Sequence, residues 1–551
     1  MGANSSSIEY SPVRQTTSGQ IRGRAFHLPE DKNRVVDGYL GIPYAQPPIG
    51  KYRFKKPVEA AQWSEVKDCL HFGPRCPQTD DYFAQYINIV GKDEANCLTL
   101  NVIAPRWKSE EWPKGLPVMV WIHGGGFAIH SSSNYGAATV ARNLCVKDVL
   151  FVSINYRLGV FGFFSTATEE CSGNMGLWDQ TLALQWVQNN IAEFGGDPTN
   201  VTIFGQSAGG ASVDLLTLSP HSNHLFKRVI PMSGCGECDF AFRTKEGQAK
   251  LSIEFARYLG WRGEDDDDKG LMEWMVRQPT TRLEVGINAK KGFRHSQAGN
   301  LYFVPTYDGD FFPKPPSVLR TEIPQKDVMT GVTQNEGLFF VALGGFHKSF
   351  EGIKRFLGRI FRECDYGSEA TTIQKELYEF YTKDVDPKDK ATISRRMVEL
   401  FGDYAINVGT YNYANKMSKC GHNVYLYNFE YFNPDGFGLF RFIFPFRGAT
   451  HCTEIRYILG KGIYSKFKPN EEDHRMIQMM TEYFSNFAKY GNPNGLTDGT
   501  NDLWEKHSQA DSFRYFNIQL PKSHMANDFQ NRRAEFWNSA VGPKNKTKSN
   551  L

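Results

Sequence analysis

Short apolar segments alternate with amphipathic segments through the middle of this chain, and this alternation limits the folds that are open to it. Residues 116–126, LPVMVWIHGGG, and 149–157, VLFVSINYR, are rich in Val, Ile and Phe, as buried strands are. Residues 179–196, DQTLALQWVQNNIAEFGG, place apolar side chains at roughly helical spacing and end in glycines. The pattern continues as strand 200–206, helix 208–218 and strand 226–234. Repeated strand–helix–strand units predict an α/β fold with a large, mostly parallel sheet covered by helices on both faces.

The length of 551 residues would by itself allow three or four domains. However, the chain has no long low-complexity linker and no internal repeat, and large α/β sheets often continue as one unit. We therefore predict a single domain over residues 19–540. Polar tails are expected on either side of it, over residues 1–18 and 541–551.

Composition argues against several classes of function. The chain has 63 basic and 60 acidic residues and no basic tract, so no nucleic-acid partner is expected. No run of 18 apolar residues is present, and the first residues lack the features of a secretory signal, so a cytoplasmic protein is expected. Its ten cysteines are then expected to be mostly free thiols. The lone C-x-x-C at residues 235–238 gives little support for a redox or metal role, and no metal ion or cofactor is expected.

The first residues match M-G-x-x-x-[ST] through Gly2 and Ser6, the pattern for N-myristoylation. The competing interpretation is a polar tail whose second residue is glycine by chance. One myristoyl chain holds a protein to a membrane only marginally, so reversible membrane association is the most that this pattern predicts. The sequence gives no indication of the oligomeric state.

The segment FGQSAGG, residues 204–210, has the pattern G-x-S-x-G around Ser207. The pattern alone is weak in a chain with 51 glycines, but here it lies directly after a predicted strand and directly before a predicted helix. The flanking glycines permit the sharp turn that exposes a serine side chain above a sheet. The position therefore indicates a nucleophile, which needs a histidine to take its proton and a carboxylate to orient that histidine.

A second glycine-rich segment, HGGGF at residues 123–127, follows an earlier predicted strand. Its N–H groups can approach a substrate closely because glycine has no side chain. We therefore assign an oxyanion hole to the N–H groups of Gly125, Gly126 and Ala208. A structural glycine turn is the alternative for this segment taken by itself.

Eight blocks, in order along the chain, carry a wider resemblance. They are YLGIPYAQPPIGKYRF (39–54), NCLTLNV (96–102), HGGGF (123–127), NYRLGVFGF (155–163), GNMGLWDQ (173–180), EFGGDPTNVTIFGQSAGG (193–210), GVTQNEG (331–337) and GATHCTEIRYILG (448–460). The chain resembles the type-B carboxylesterase/cholinesterase family of α/β-hydrolases, and its invertebrate carboxylesterases more than its cholinesterases. The resemblance implies a serine carboxylic ester hydrolase with the acid Glu336, on the loop after the strand DVMTGVT, and the base His451. The order Ser207, Glu336, His451 is the α/β-hydrolase order.

The resemblance also bears on the cysteines. Cys76 and Cys97 match the family's first disulfide pair, 21 positions apart, and whether they are bridged here stays open. Trp261 and Trp274 occupy the positions of the family's second disulfide. The loss of that disulfide fits an intracellular relative.

One family salt bridge is left open by the sequence. The family usually pairs the arginine of YRF with a glutamate two residues before the second cysteine. Here that position is Ala95, with Glu94 beside it, so the sequence does not settle whether Arg53 has a carboxylate partner.

The expected substrate is a neutral, hydrophobic ester. Cholinesterases carry a tryptophan between the first two cysteines that attracts quaternary ammonium, and a glutamate where Gln206 stands; residues 76–97 contain no tryptophan. The expected acyl-pocket positions, Leu301 and Phe303, are apolar. The aromatic run FGLFRFIFPF, residues 437–446, is either further pocket wall or ordinary core.

Two other functions stay open from the sequence. An acyltransferase would form the same acyl-enzyme and pass the acyl group to a hydroxyl acceptor, and nothing in the triad separates it from a hydrolase. A non-catalytic binding or adhesion relative is disfavoured, because such relatives typically lack a triad member and all three stand here.

Overall fold

The computed structural model describes residues 8–29, 31, 33–80, 90–287, 293, 301–462, 467–497 and 503–542. The strands within them are β1 (Arg14–Thr16), β2 (Gly19–Arg22), β3 (Arg24–His27), β4 (Val35–Pro43), β5 (Lys67–Asp68), β6 (Thr99–Pro105), β7 (Leu116–Ile122), β8 (Leu150–Ile154), β9 (Gly196–Gln206), β10 (Arg228–Met232), β11 (Asp327–Thr333), β12 (Asn423–Phe429), β13 (Tyr515–Ile518) and β14 (His524–Ala526). The α-helices within them are α1 (Ala138–Asn143), α2 (Gly159–Phe163), α3 (Met175–Asn190), α4 (Ala208–Leu218), α5 (Lys245–Leu259), α6 (Asp268–Val276), α7 (Thr280–Leu283), α8 (Pro316–Glu322), α9 (Gly337–Leu343), α10 (Phe350–Ile360), α11 (Glu363–Tyr366), α12 (Glu369–Thr382), α13 (Lys390–Gly402), α14 (Val408–Lys419), α15 (Ile455–Leu459), α16 (Glu471–Tyr490) and α17 (Arg533–Ala540).

Eleven strands form one sheet in the order β14-β13-β12-β11-β10-β9-β7-β8-β6-β4-β3. The seven strands from β13 to β8 are parallel, because helical crossovers such as α4, between β9 and β10, return the chain to the same edge. The strands at both edges pair antiparallel. The predicted mostly parallel sheet is therefore confirmed.

The sheet is covered on both faces, as alternate residues of β7 show. All of its residues are buried, and Val118, Val120 and Ile122 pack in one hydrophobic cluster while Met119 and Trp121 pack in another. Side chains of α3 and α4 complete the first cluster, and those of α1, α15 and α16 complete the second. Among the helices of the described ranges, none has the length and apolar content to cross a membrane.

The domain begins earlier in the structure than the sequence predicted. Residues 14–16, inside the expected tail 1–18, form β1, which pairs with β2 in a small three-stranded sheet. The Thr16 hydroxyl donates to the Gly19 carbonyl at 2.7 Å and so holds the turn between the two strands. The polar composition of the segment concealed this pairing. At the other end α17 ends at Ala540, and the domain limit predicted there stays a prediction.

Two links hold the second end of the segment 76–97, one to Cys76 at its first end and one to Arg53 outside it. Cys76 and Cys97 are joined by a disulfide. Arg53 donates to both carboxylate oxygens of Glu94, each at 2.6 Å, and to the carbonyl oxygen of Gln278. The salt bridge that the sequence left open is present, because the carboxylate reaches Arg53 from the position before Ala95.

At the positions of the family's second disulfide the structure has an aromatic contact. The ring centroids of Trp261 and Trp274 are 5.9 Å apart, and Trp261 is buried. Packing of two large rings thus connects α6 to the turn after α5, at the positions where the family's second disulfide is found.

Candidate active site

Ser207 lies in the turn between β9 and α4. Its φ of 60° is in the left-handed region, where a residue other than glycine is strained. The turn is closely packed against the end of β7: a Cβ atom on Gly205 would lie 2.6 Å from the carbonyl oxygen of Ile122, and one on Gly209 only 2.1 Å from the same oxygen. Both glycines are therefore needed for this turn to form beside β7.

Glu336 and His451 come from two loops that pair with each other. Asn335 and Thr450 form a parallel bridge, and the Asn335 N–H donates to the Ala449 carbonyl at 3.0 Å. Nδ1 of His451 lies 2.7 Å from Oε2 of Glu336. The two side chains are only 4% and 0% exposed, so this pair is shielded from water. Pairing of the loops thus fixes the carboxylate against the imidazole.

The second oxygen of Glu336 is held by two donors. Oε1 accepts a hydrogen bond from the Ser233 hydroxyl at 2.6 Å and one from the Thr333 N–H at 2.6 Å. Glu454 is buried nearby, and its pKa rises to about 8 because of burial and the negative charge of Glu336. At pH 7 Glu454 is therefore largely neutral and adds little negative charge beside Glu336.

Gln206, the residue before Ser207, lies against the imidazole. Its Nε2 atom is 3.2 Å from Nε2 of His451, and its Oε1 atom accepts a hydrogen bond from the Cys452 thiol at 3.0 Å. The thiol thus fixes the orientation of the amide, whose NH₂ group faces the ring nitrogen that points away from Glu336. A neutral group occupies this place beside the nucleophile.

Two of the predicted oxyanion donors, Gly125 and Gly126, lie in the glycine loop, and the third, Ala208, directly follows Ser207. Gly125 and Gly126 adopt positive φ angles of 111° and 61°. Within the described ranges their N–H groups, and that of Ala208, donate to no other group. A Cβ atom on Gly124 would lie 3.2 Å from Cβ of Ser207, so the glycine loop passes directly beside the serine. The three N–H groups therefore have no hydrogen-bond acceptor within the described part of the chain.

His123, which opens the glycine loop, has a structural place. Its ring stacks on Tyr156 at 4.5 Å, and its Nδ1 atom is 2.8 Å from the Gly124 carbonyl oxygen. Burial lowers its pKa to about 3, so the ring stays neutral at physiological pH. The ring supports the loop in this neutral form.

The two predicted pocket residues have different surroundings. A Cβ atom on Gly126 would lie 3.0 Å from a methyl carbon of Leu301, which places Leu301 beside the glycine loop. Phe303 is 2% exposed, and its ring packs with those of Phe255 at 5.3 Å and Phe164 at 6.4 Å. The structure thus brings Leu301 to the site and packs Phe303 into an aromatic cluster of the core.

The aromatic run at residues 437–446 contains both buried and exposed rings, and the side chains of residues 439–441 lie outside the described part of the chain. Phe437 is buried, with ring contacts to Phe432 at 5.1 Å and Phe444 at 5.0 Å. Phe442, in contrast, is 72% exposed. The run therefore combines core packing with an exposed apolar tip.

Comparison with known proteins identifies the family to which the chain belongs. The model of the Carboxylesterase family matches residues 10–537. The chain belongs to the carboxylesterase family. It is 47% identical to esterase cest-33 of Caenorhabditis elegans over 539 residues, which are 97% of this chain and 94% of that protein. It is 31% identical to the cholinesterase of Mus musculus over 541 residues, 95% of this chain and 85% of that protein. It is 29% identical to gut esterase 1 of C. elegans over 551 residues, 96% of this chain and 92% of that protein.

The family resemblance and the α/β-hydrolase fold are thus confirmed, and this carboxylesterase is a serine-type carboxylic ester hydrolase. The sequence did not point to the residues that surround Glu336. Ser233 lies near the end of the predicted strand 226–234, and Glu454 lies three residues after His451 in the block GATHCTE. Of these two residues, only Glu454 could have been predicted to lie near the site, because it stands in the same block as His451.

Proposed function

We propose that this carboxylesterase hydrolyses neutral, hydrophobic esters through an acyl-enzyme on Ser207. The observation that carries the proposal is the buried pair of His451 and Glu336, 2.7 Å apart, beside the strained turn that presents Ser207. His451 takes the proton of the Ser207 hydroxyl as its oxygen attacks the ester carbonyl. Glu336 orients the ring and stabilises the imidazolium that forms.

The intermediate then breaks down in two stages. The N–H groups of Gly125, Gly126 and Ala208 bind the negative oxygen of the tetrahedral intermediate. His451 returns its proton to the leaving alcohol, which leaves the acyl group on Ser207. A water molecule, deprotonated by the same imidazole, attacks the acyl carbonyl and releases the acid and the free serine.

The preference for neutral esters is proposed from the charge of the site. The amide of Gln206 stands next to the nucleophile, so no carboxylate at this position attracts a cationic alcohol group. The segment between Cys76 and Cys97 also lacks a tryptophan for cation–π contact. Leu301 adds an apolar surface beside the glycine loop.

A pair of isosteric substrates tests this preference. We expect kcat/KM for a 3,3-dimethylbutyl ester to exceed that for the choline ester of the same acid by about tenfold. The quaternary ammonium loses hydration in an apolar pocket, and no cation–π contact, worth about 1–2 kcal/mol, compensates for that loss. Gln206→Glu should lower the ratio of the two kcat/KM values, because the added negative charge attracts the choline group. Any effect of the substitution on the triad changes both kcat/KM values equally and so does not alter their ratio. Preferred turnover of the choline ester by the unaltered enzyme would contradict the proposal.

Gly126→Ala tests the oxyanion hole. The new Cβ atom would lie 3.0 Å from Leu301 and strain a backbone that has φ of 61°, so the N–H group moves. We expect kcat to fall by a factor on the order of 10²–10³, the cost of losing one oxyanion donor. Gly421→Ala is the matched control, because it has φ of 86° and no atom within 4 Å of the added carbon. Equal kcat values for the two variants would remove Gly126 from the hole.

Reversible membrane association through a myristoyl group on Gly2 is a separate proposal. It is supported by the pattern M-G-x-x-x-S alone, and Gly2 lies outside the described residues. An intact-mass comparison with Gly2→Ala, after coexpression with an N-myristoyltransferase, decides it; equal masses, apart from the substitution, would exclude the lipid. The cytoplasmic location likewise stays a prediction.

A further inference from the structure

We propose that Cys235 and Cys238 form a reversible disulfide, made by hydrogen peroxide, in the loop that supports the carboxylate of Glu336. The two Sγ atoms are 3.6 Å apart, and both thiols are free and buried. The Cys238 N–H donates to the Cys235 carbonyl at 3.1 Å and closes a four-residue turn. A disulfide bond needs only about 1.5 Å of further approach between the sulfur atoms.

The turn is held in place by its charged surroundings. The Gly236 N–H donates to Asp214 at 2.8 Å, and Glu237 accepts from Lys416 at 2.6 Å and from Arg320 at 3.4 Å. Arg320 also pairs with Asp214, so one network clamps the middle of the turn. Because the backbone is already ordered, the thiols cannot drift apart, and closing the bond costs little additional chain entropy.

Packing from the opposite side keeps Cys238 in position. A Cβ atom on Gly409, in α14, would lie 2.7 Å from Cα of Cys238 and 2.8 Å from its sulfur. The helix backbone thus rests directly on this cysteine. Cys238 is therefore the fixed partner, and Cys235 makes most of the movement when the two sulfur atoms approach each other.

The same loop contacts the site. Ser233, two residues before Cys235, donates to Oε1 of Glu336, and a Cβ atom on Gly234 would lie 2.3 Å from the backbone oxygen of Ser207. Drawing Cys235 toward Cys238 shifts this stretch and weakens the hydrogen bond to Glu336. This part of the inference rests on the proposed function, because it assumes that Glu336 serves the reaction.

The oxidation balances with peroxide alone. One thiol, as thiolate, attacks a peroxide oxygen, which gives a sulfenic acid and, after protonation, one water. The second thiol attacks that sulfur, forms the disulfide and releases the second water. Burial raises the pKa of the Cys235 thiol well above its usual range, so oxidation is slow and requires opening of the loop.

Peptide mass measurement tests the bond directly. The purified full-length enzyme is treated with hydrogen peroxide, denatured, labelled with N-ethylmaleimide and digested with trypsin. Residues 229–243, VIPMSGCGECDFAFR, form one tryptic peptide that contains both cysteines and no other. We expect this peptide to lose both labels and two hydrogen atoms, and to regain both labels when dithiothreitol precedes labelling. A peptide that stays doubly labelled, while the exposed Cys364 is oxidised, overturns the proposal.

Activity measured on the same samples tests the link to Glu336. We expect a roughly tenfold fall in kcat that dithiothreitol reverses, the cost of weakening one hydrogen bond to a carboxylate. Cys238→Ser should abolish this response, and Cys364→Ser should retain it. A disulfide without any change in kcat overturns the link to catalysis. The mass result does not depend on ester hydrolysis, so it stands or falls separately from the proposed function.

Discussion

Ser207→Ala should lower ester turnover by a factor on the order of 10⁴ or more, because no other group can form the acyl-enzyme. The oxyanion donors and the His451–Glu336 pair stay in place, so a small residual rate above that of water is expected. Steady-state hydrolysis of a chromogenic aryl ester measures the loss. Labelling by a fluorophosphonate probe, which phosphonylates activated serines, should disappear in the same variant.

Ser212→Ala is a suitable control for this variant. Ser212 is a buried serine of the same helix, α4, and accepts a hydrogen bond from Gln180 at 3.1 Å. Its loss should disturb the helix slightly without removing activity or labelling. Substantial hydrolysis by purified Ser207→Ala would contradict the assignment of Ser207 as the nucleophile. A wild-type enzyme that the probe never labels would also contradict it.

Glu336→Gln should lower kcat by about 10⁴, the effect of placing the base in the wrong tautomer. Ser233 and Thr333 both donate to Oε1, so they will hold the carbonyl oxygen of the new amide. Its NH₂ group must then face Nδ1 of His451, which has to accept instead of donate. The proton of the ring moves to Nε2, and that nitrogen can no longer take the proton of the serine.

Kinetic measurements on well-folded Glu336→Gln protein test the role of Glu336. The rate of fluorophosphonate labelling should fall together with kcat, because both depend on the same base. Glu322→Gln, at an exposed glutamate paired with Lys314, should leave both rates unchanged. If Glu336→Gln kept kcat within tenfold of the unaltered enzyme, another group would have to orient His451.

Local patterns predicted the elements that carry the nucleophile. The helix after Ser207 was predicted at residues 208–218, and α4 spans Ala208–Leu218. The strand before Glu336, DVMTGVT, is β11. Periodicity and flanking glycines act within a few residues, so they are visible in the sequence without knowledge of the fold.

The meeting of Glu336 and His451 is not a local property. It depends on β11 and β12, the strands before Glu336 and His451, both ending at one edge of the parallel sheet, and on the pairing of Asn335 with Thr450. Strand order is not written in the periodicity, so only the family resemblance selected these two residues. The same limit explains why Ser233, which reaches Glu336 from the end of β10, was missed.

The segment that ends at Cys97 is held by two independent links, the disulfide and the Arg53–Glu94 ion pair. In the chain-entropy account, reducing a disulfide across 21 residues costs about 3 kcal/mol of stability. The ion pair is buried, with side chains 10% and 7% exposed, and does not depend on an oxidant. Reduction therefore leaves this end of the segment anchored at Glu94. The fold is therefore suited to an oxidising or a reducing environment. When the disulfide is reduced, the ion pair still holds this part of the chain against Arg53.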